Sequence, residues 1–127
     1  MKKTLCIYHD YIPYIGGIET AIYNLAKRLK EHYEITIVFR NAQSPLSVIK
    51  YSQNANVIKL SSIEKTLHFD FLLIGSNHLK PKELEGSKVL QWVHSDYSKY
   101  NIDLVQNKID EYISVSKSAG EVFTKLF

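Results

Sequence analysis

Read from the amino terminus, the chain alternates between short apolar runs and segments whose apolar residues recur three and four positions apart. "KTLCIY" (Lys3 to Tyr8) and "EITIVF" (Glu34 to Phe39) are short and rich in β-branched and aromatic residues, the composition of strands. Between them Ile18, Ala21, Ile22, Leu25, Ala26 and Leu29 share one side of a helix, with Asn24, Lys27, Arg28 and Glu31 on the other. Further strands are predicted at Asn56 to Leu60, Phe69 to Gly75, Lys88 to His94 and Glu111 to Val115. Within Phe69 to Gly75, "FLLI" shows no polar alternation, as expected of a strand covered on both faces of a parallel sheet. Shorter helices are predicted near Pro45 to Ser52, near Ile63 to His68 and from Ile102 to Ile109. Ser61-x-x-Glu64 and Ser118-x-x-Glu121 fit capping boxes and so mark helix starts.

Strands alternating with helices, joined by right-handed crossovers, predict an α/β fold: a three-layer, Rossmann-like parallel sheet of about six strands with helices on both faces. At 127 residues and 45% hydrophobic side chains the chain is long and apolar enough for one core, and no repeat or linker divides it, so residues 1–127 are read as a single domain. The lone cysteine, Cys6, lies inside an apolar run, which excludes an internal disulfide and reads as a small core residue. "MKKTLCIYHD" is too short in its apolar run for a signal peptide or a membrane span, so a cytoplasmic location is expected. The net charge of +3 is spread along the chain without an Arg-rich block, which argues against nucleic acid as a partner. The last segment, "SKSAGEVFTKLF", sets Val122, Phe123, Leu126 and Phe127 on one helical face and carries no Gly or Pro stop. Two expectations follow: a polypeptide continuing beyond Phe127, or a short final helix.

In an open parallel sheet, ligands sit outside the carboxyl ends of the strands. The residues to weigh are therefore His9 to Glu19, Gly75 to His78, His94 to Tyr100 and Ser116 to Ser118. Gly16 and Gly17 let backbone N–H groups approach an anion at the start of the Ile18 helix, or simply make a tight turn; both readings stand. They do not complete G-x-G-x-x-G, and no G-x-x-x-x-G-K-[ST] occurs, which disfavours dinucleotide and Walker-type sites. Glu19 falls in the first helical turn, where it either complements the helix dipole or meets a ligand. His94 opens the polar, aromatic run "HSDYSKY" and is placed to donate to a hydroxyl or exchange a proton, against a purely structural role. Asp96 and Ser116 are helix caps or ligand contacts. His9 and Asp10, with His78 and His94, show no metal-ligand spacing, and no metal is expected. No G-x-S-x-G occurs and the cysteine lies in a strand, so covalent catalysis has no support.

Taken together, "IPYIGGIETAIYNLAKRLKEHYEITIVF", "VLQWVHSDY" and "IDEYISVSKSAGEVF" resemble, in order, the N-terminal domain of a GT-B glycosyltransferase of the large retaining family 4. The resemblance implies transfer of a sugar from a nucleotide-sugar donor to a hydroxyl, with retention and without an obligatory cofactor. It assigns Gly16 and Gly17 to the donor diphosphate or the acceptor and His94 to the transferred sugar; Glu19, Asp96 and Ser116, by their own positions, join Gly16 and Gly17 as candidates for binding donor or acceptor. It further implies a glycan or lipid-linked acceptor, and a C-terminal donor-binding domain to which nothing in this chain corresponds. Enzymes of this kind work at the cytoplasmic membrane face, and Lys27, Arg28, Lys30, Lys80 and Lys82 then read either as a peripheral contact to anionic lipid or as ordinary solvated faces. The competing reading is a non-enzymatic Rossmann-like module that binds a nucleotide or a protein.

Overall fold

The computed structural model describes residues 2–12, 17–42, 44–75, 80–93 and 111–114. Six strands form one sheet: β1 (Lys3–Ile12), β2 (Tyr33–Ala42), β3 (Asn56–Lys59), β4 (Leu67–Ile74), β5 (Leu84–Val93) and β6 (Glu111–Ser114). Two α-helices are described, α1 (Gly17–Leu29) and α2 (Pro45–Tyr51). The spatial order is β3-β2-β1-β4-β5-β6 and every neighbouring pair is parallel. This is the doubly wound, Rossmann-like α/β arrangement that the alternation of patterns predicts.

The six strands fall where the apolar runs predict them, and β1 and β2 run further than their apolar cores, to Ile12 and Ala42. His9 and Asp10 therefore lie inside β1 rather than after it. The extension is possible because β1 keeps its register on β2 as far as Ile12 opposite Ala42, and the added hydrogen bonds hold polar residues that carry no strand signal of their own.

Helix α1 buries Ile22, Leu25, Ala26 and Leu29 and leaves Asn24, Lys27 and Arg28 exposed, the one-sided pattern of the sequence. Its β-branched and aromatic residues each cost about 0.5 kcal/mol in propensity. Burial of the three large apolar side chains returns about 5–9 kcal/mol, so packing on the sheet decides the conformation. Helix α2 starts on Ser44, whose Oγ accepts the Leu46 N–H at 3.1 Å, with Pro45 at the first helical position.

One core cluster joins α1 and Tyr51 of α2 to Leu5, Ile7, Ile35, Ile37, Phe71 and Leu73; the other joins Cys6, Tyr8, Val38, Leu72 and Ile74 to Leu60, Leu84 and Val89. The alternation of odd and even positions assigns them to opposite faces of the sheet. Cys6 is fully buried, and burial pushes its thiol pKa well above the ordinary value. Right-handed crossovers put the connections out of β1 and β2 on one face and those out of β3 and β4 on the other.

On that second face the structure departs from one sequence expectation. The segment near Ile63 to His68 is not a helix: a 3-10 turn at Leu60–Ser62 is followed by irregular chain, and β4 has begun by Leu67. The Ser61-x-x-Glu64 pattern loses to chain reach. Residues 60–66 must cross β2 and β1, about 14 Å laterally, while running back to the start of β4. A helix of that length would span only about 10 Å. The helices expected at Ile102 to Ile109 and from Ser118 lie outside the described residues, as does the region around Phe127.

At the amino end of the sheet β1 and β4 are stapled by a reciprocal pair. Thr4 donates its N–H (2.8 Å) and its hydroxyl (3.2 Å) to Asp70 Oδ2, and the Asp70 N–H donates to Thr4 Oγ1 at 2.9 Å. The Thr4 N–H, above all, holds the Asp70 carboxyl below its ordinary pKa, with the Thr4 hydroxyl and the positive charge of Lys3 and His68 adding to it against partial desolvation. A lowered folded-state pKa means that the staple stabilises above the unfolded carboxylate range and is lost as pH falls through it. Asp70→Asn is thus expected to lower the urea midpoint at neutral pH and to flatten its fall below about pH 4. Parallel acid-limb slopes in the two proteins would remove Asp70 from the acid response.

Candidate functional site at the carboxyl end of the sheet

The order of strands makes β1 and β4 the pair at which the connections part to opposite faces, and the crevice outside their carboxyl ends is where such sheets take ligands. The register brings the candidate strand ends to one level. Tyr8 pairs with Ile74, and Ile74 with Gln91, so Val93 stands level with Asp10, two strands and about 10 Å away. Val93 in turn pairs with Ser114 of β6.

Of the residues singled out in the sequence, Gly17 begins α1 and Glu19 falls in its first turn, after β1 and hence at this same end of the sheet. Gly16, His94, Asp96 and Ser116 lie outside the described residues. His94 directly follows Val93 in the sequence, and Ser116 lies two residues after Ser114; the ends of β5 and β6 stand at this pole. The glycine-led helix start and the strand ends before His94 and Ser116 belong to one edge of the sheet.

The floor of the crevice is a close approach between β1 and the end of β4. The Gly75 N–H donates to the Tyr8 carbonyl at 2.7 Å. The His9 ring, 7% exposed, packs directly over Gly75: a Cβ there would strike His9 Cδ2 and come within 3.2 Å of Cγ and 3.0 Å of the Tyr8 carbonyl oxygen. Gly75 is thus required by the neighbouring ring. Gln91, fully buried on β5, donates from Nε2 to the Ile74 carbonyl at 3.2 Å and ties the next strand to the same corner.

Alternation turns Tyr8 and Asp10 to the opposite side of β1 from His9, and the register sets Asp10 beside Arg40 of β2. The Tyr8 hydroxyl donates to Asp10 Oδ1 and accepts from Arg40 Nε at 2.9 Å; Arg40 Nε lies 3.4 Å from Asp10 Oδ1. The side chains of Arg40 and Asp10 are 54% and 41% exposed. Burial, reinforced by the hydrogen bond to Asp10, pushes the Tyr8 pKa far up, so its proton stays in place. The hydrogen bond to Tyr8 strengthens Arg40 as a cation. Sequence reasoning included Asp10 in the His9 to Glu19 stretch and found no metal-ligand spacing for it, but missed Tyr8 and Arg40. Tyr8 and Asp10 at i, i+2 on a strand are a legible same-face pair, but Arg40 joins them only through the register.

A concavity of about 520 Å³ lies at the opposite end of the sheet, among Lys2, Lys30, Glu34, Asn54 and Asn56. There Lys2 Nζ donates to the Lys30 carbonyl at 2.9 Å and Lys30 Nζ to Asn54 Oδ1 at 3.1 Å. The carbonyl ends of α1 and α2 face this space; Lys2 caps the end of α1, and the partial negative charge there opposes an anion. Lys80, one of the lysines considered for a membrane contact, donates to the Leu84 and Pro81 carbonyls at 3.0 and 3.4 Å. No helix among the described residues is long and apolar enough to cross a membrane. Among the same residues no group of three or more His, Cys, Asp and Glu side chains is arranged to hold a metal ion.

Compared with protein-family models, with curated proteins and with solved structures, the chain matches none of them. The fold class is set by the strand order, and the function is to be argued from the site.

Gly75→Ala is expected to destabilise the protein by about 1–3 kcal/mol, the cost of overpacking a closed corner. The same change should cost markedly less in a His9→Ala background, because the ring it strikes is gone. Equal costs by denaturant unfolding in the two backgrounds would show that the His9 contact is not the reason for glycine.

Proposed function

We propose that this chain is the N-terminal, acceptor-side lobe of a retaining GT-B glycosyltransferase. It acts with a C-terminal donor-binding lobe to move a sugar from a nucleotide-sugar donor to a hydroxyl of a glycan or lipid-linked acceptor. One observation carries the reading. The parallel sheet brings to a single edge, around the strand where the connections diverge, the start of α1 at Gly17 and the strand end that leads into His94. The likeness of "YIGGIETAIYNLAKRL" and "VLQWVHSDY" to the family's motifs supports the same assignment.

The chemistry follows from what the reaction needs. As the glycosidic bond to the nucleoside diphosphate breaks, negative charge gathers on the leaving phosphate oxygens. Backbone N–H groups at the start of a 13-residue helix have no partner within the helix and stand at the positive end of its dipole, already oriented, so no reorganisation is required as the charge develops. Glycines at positions 16 and 17 leave the backbone open to a close approach. His94 holds a sugar hydroxyl in position and forms no covalent intermediate; Glu19, Asp96 and Ser116 are assigned to the rim of the same site. The acceptor lies over the carboxyl end of β1, and contact with a membrane face would accompany a lipid-linked acceptor.

The test is nucleotide-sugar turnover, followed as release of nucleoside diphosphate, by the polypeptide joined to its donor lobe. His94→Ala and Gly17→Val are each expected to lower turnover by about 10²-fold, the usual cost of removing a preorganised donor or positioning group. Unchanged turnover in both variants would overturn the assignment of these residues. A complete polypeptide that binds nucleotide but never consumes a nucleotide sugar would favour the binding-module reading.

A further inference from the structure

We propose that Tyr8, Asp10 and Arg40 form an anchor for a vicinal diol, which makes the acceptor end of the site a carbohydrate-binding surface. The three side chains lie on adjacent strands at the carboxyl end of the sheet, next to the crevice. Their order is imposed from below. The Tyr8 ring is buried in the core of the second face, and its hydroxyl donates to Asp10 Oδ1 while accepting from Arg40 Nε. One partner would satisfy a buried hydroxyl; here it fixes two charged groups, both about half exposed. An ion pair so exposed adds little to folding, so stability does not account for the arrangement.

What the cluster presents is a half-exposed carboxylate beside a half-exposed guanidinium, both hydrogen-bonded to one hydroxyl. A carboxylate has several acceptor sites, and a guanidinium bound through Nε still offers its Nη donors in a fixed plane. Two neighbouring hydroxyls match this set, each giving its proton to Asp10 or accepting one from Arg40. Asp10 opposes the charge of Arg40, and Glu83 adds negative potential near it, so a neutral polyhydroxylated ligand suits the site better than a phosphate. Because Asp10 and Arg40 are set by the Tyr8 hydroxyl, little is lost in ordering them when the ligand binds.

The anchor rests on the transferase reading for its place in a reaction, but binding by this chain tests it separately from sugar transfer. The 127-residue chain is titrated with the methyl α-glycosides of mannose, galactose and glucose, and separately with inorganic phosphate at matched ionic strength, with backbone amide NMR shifts as the readout. At least one glycoside is expected to produce saturable shifts at residues 8–10 and 40–41, with a dissociation constant on the order of millimolar for so small a ligand. Arg40→Lys keeps the charge and lies at an exposed position, so it should fold, yet it loses the fork and is expected to weaken binding about ten-fold. Tyr8→Phe keeps the ring and removes the hydroxyl that bridges the two charged groups, and a several-fold loss is expected. Absence of saturable shifts, saturation by phosphate in place of the glycosides, or binding untouched in Arg40→Lys would each overturn the anchor. None of those outcomes bears on nucleotide-sugar turnover, whose own test is at His94 and Gly17.

Discussion

β1 is hydrogen-bonded to β2 along one edge and to β4 along the other, with its residues Leu5 to Tyr8 fully buried. Its backbone is therefore paired on both sides and its side chains are packed on both faces, a position that only a central strand of a parallel sheet holds. Everything of interest at the carboxyl pole is referred to this strand. His9 and Asp10 continue it, the chain leaves it toward α1, and Gly75 closes on its Tyr8 carbonyl. The Thr4–Asp70 staple fixes the same two strands at the other end. With both ends of the β1–β4 seam tied, the level of each strand end relative to the next is set to within a residue.

That seam divides the pole chemically. On one side of β1 the His9 ring fills the space over Gly75, and the chain runs on to the start of α1. On the other side Tyr8 sends its hydroxyl up between Asp10 and Arg40. The proposed donor contacts and the proposed diol anchor thus flank one strand, with unlike electrostatics. Helix N–H groups favour an anion, and a cancelled ion pair favours neutral hydroxyls. A sugar transfer brings together a charged leaving group and a neutral acceptor, which is the division these two sides offer. The opposite pole has the reverse character, since carbonyl ends of helices collect there and Lys2 caps that of α1.

The amino-acid sequence by itself determined the six strands and the two described helices, because each carries apolar side chains, in a short run or at helical spacing, that are buried wherever the element ends up. It also marked Gly17 as a helix start and Cys6 as core. Tertiary structure overrode it where a local signal competed with distance. Ser61 and Glu64 have the spacing of a capping box, yet residues 60–66 had to bridge two strands and had no length to spend on a helix. Strand order, and with it the seam between β1 and β4, was decided only by folding, since hydrogen bonds between strands are equally available to any apolar strand. The same holds for the Tyr8, Asp10 and Arg40 cluster and for the ring of His9 on Gly75. Arg40 joins Tyr8 and Asp10, and His9 meets Gly75, across 30 or more positions, and a one-residue change of register would turn each side chain to the opposite face.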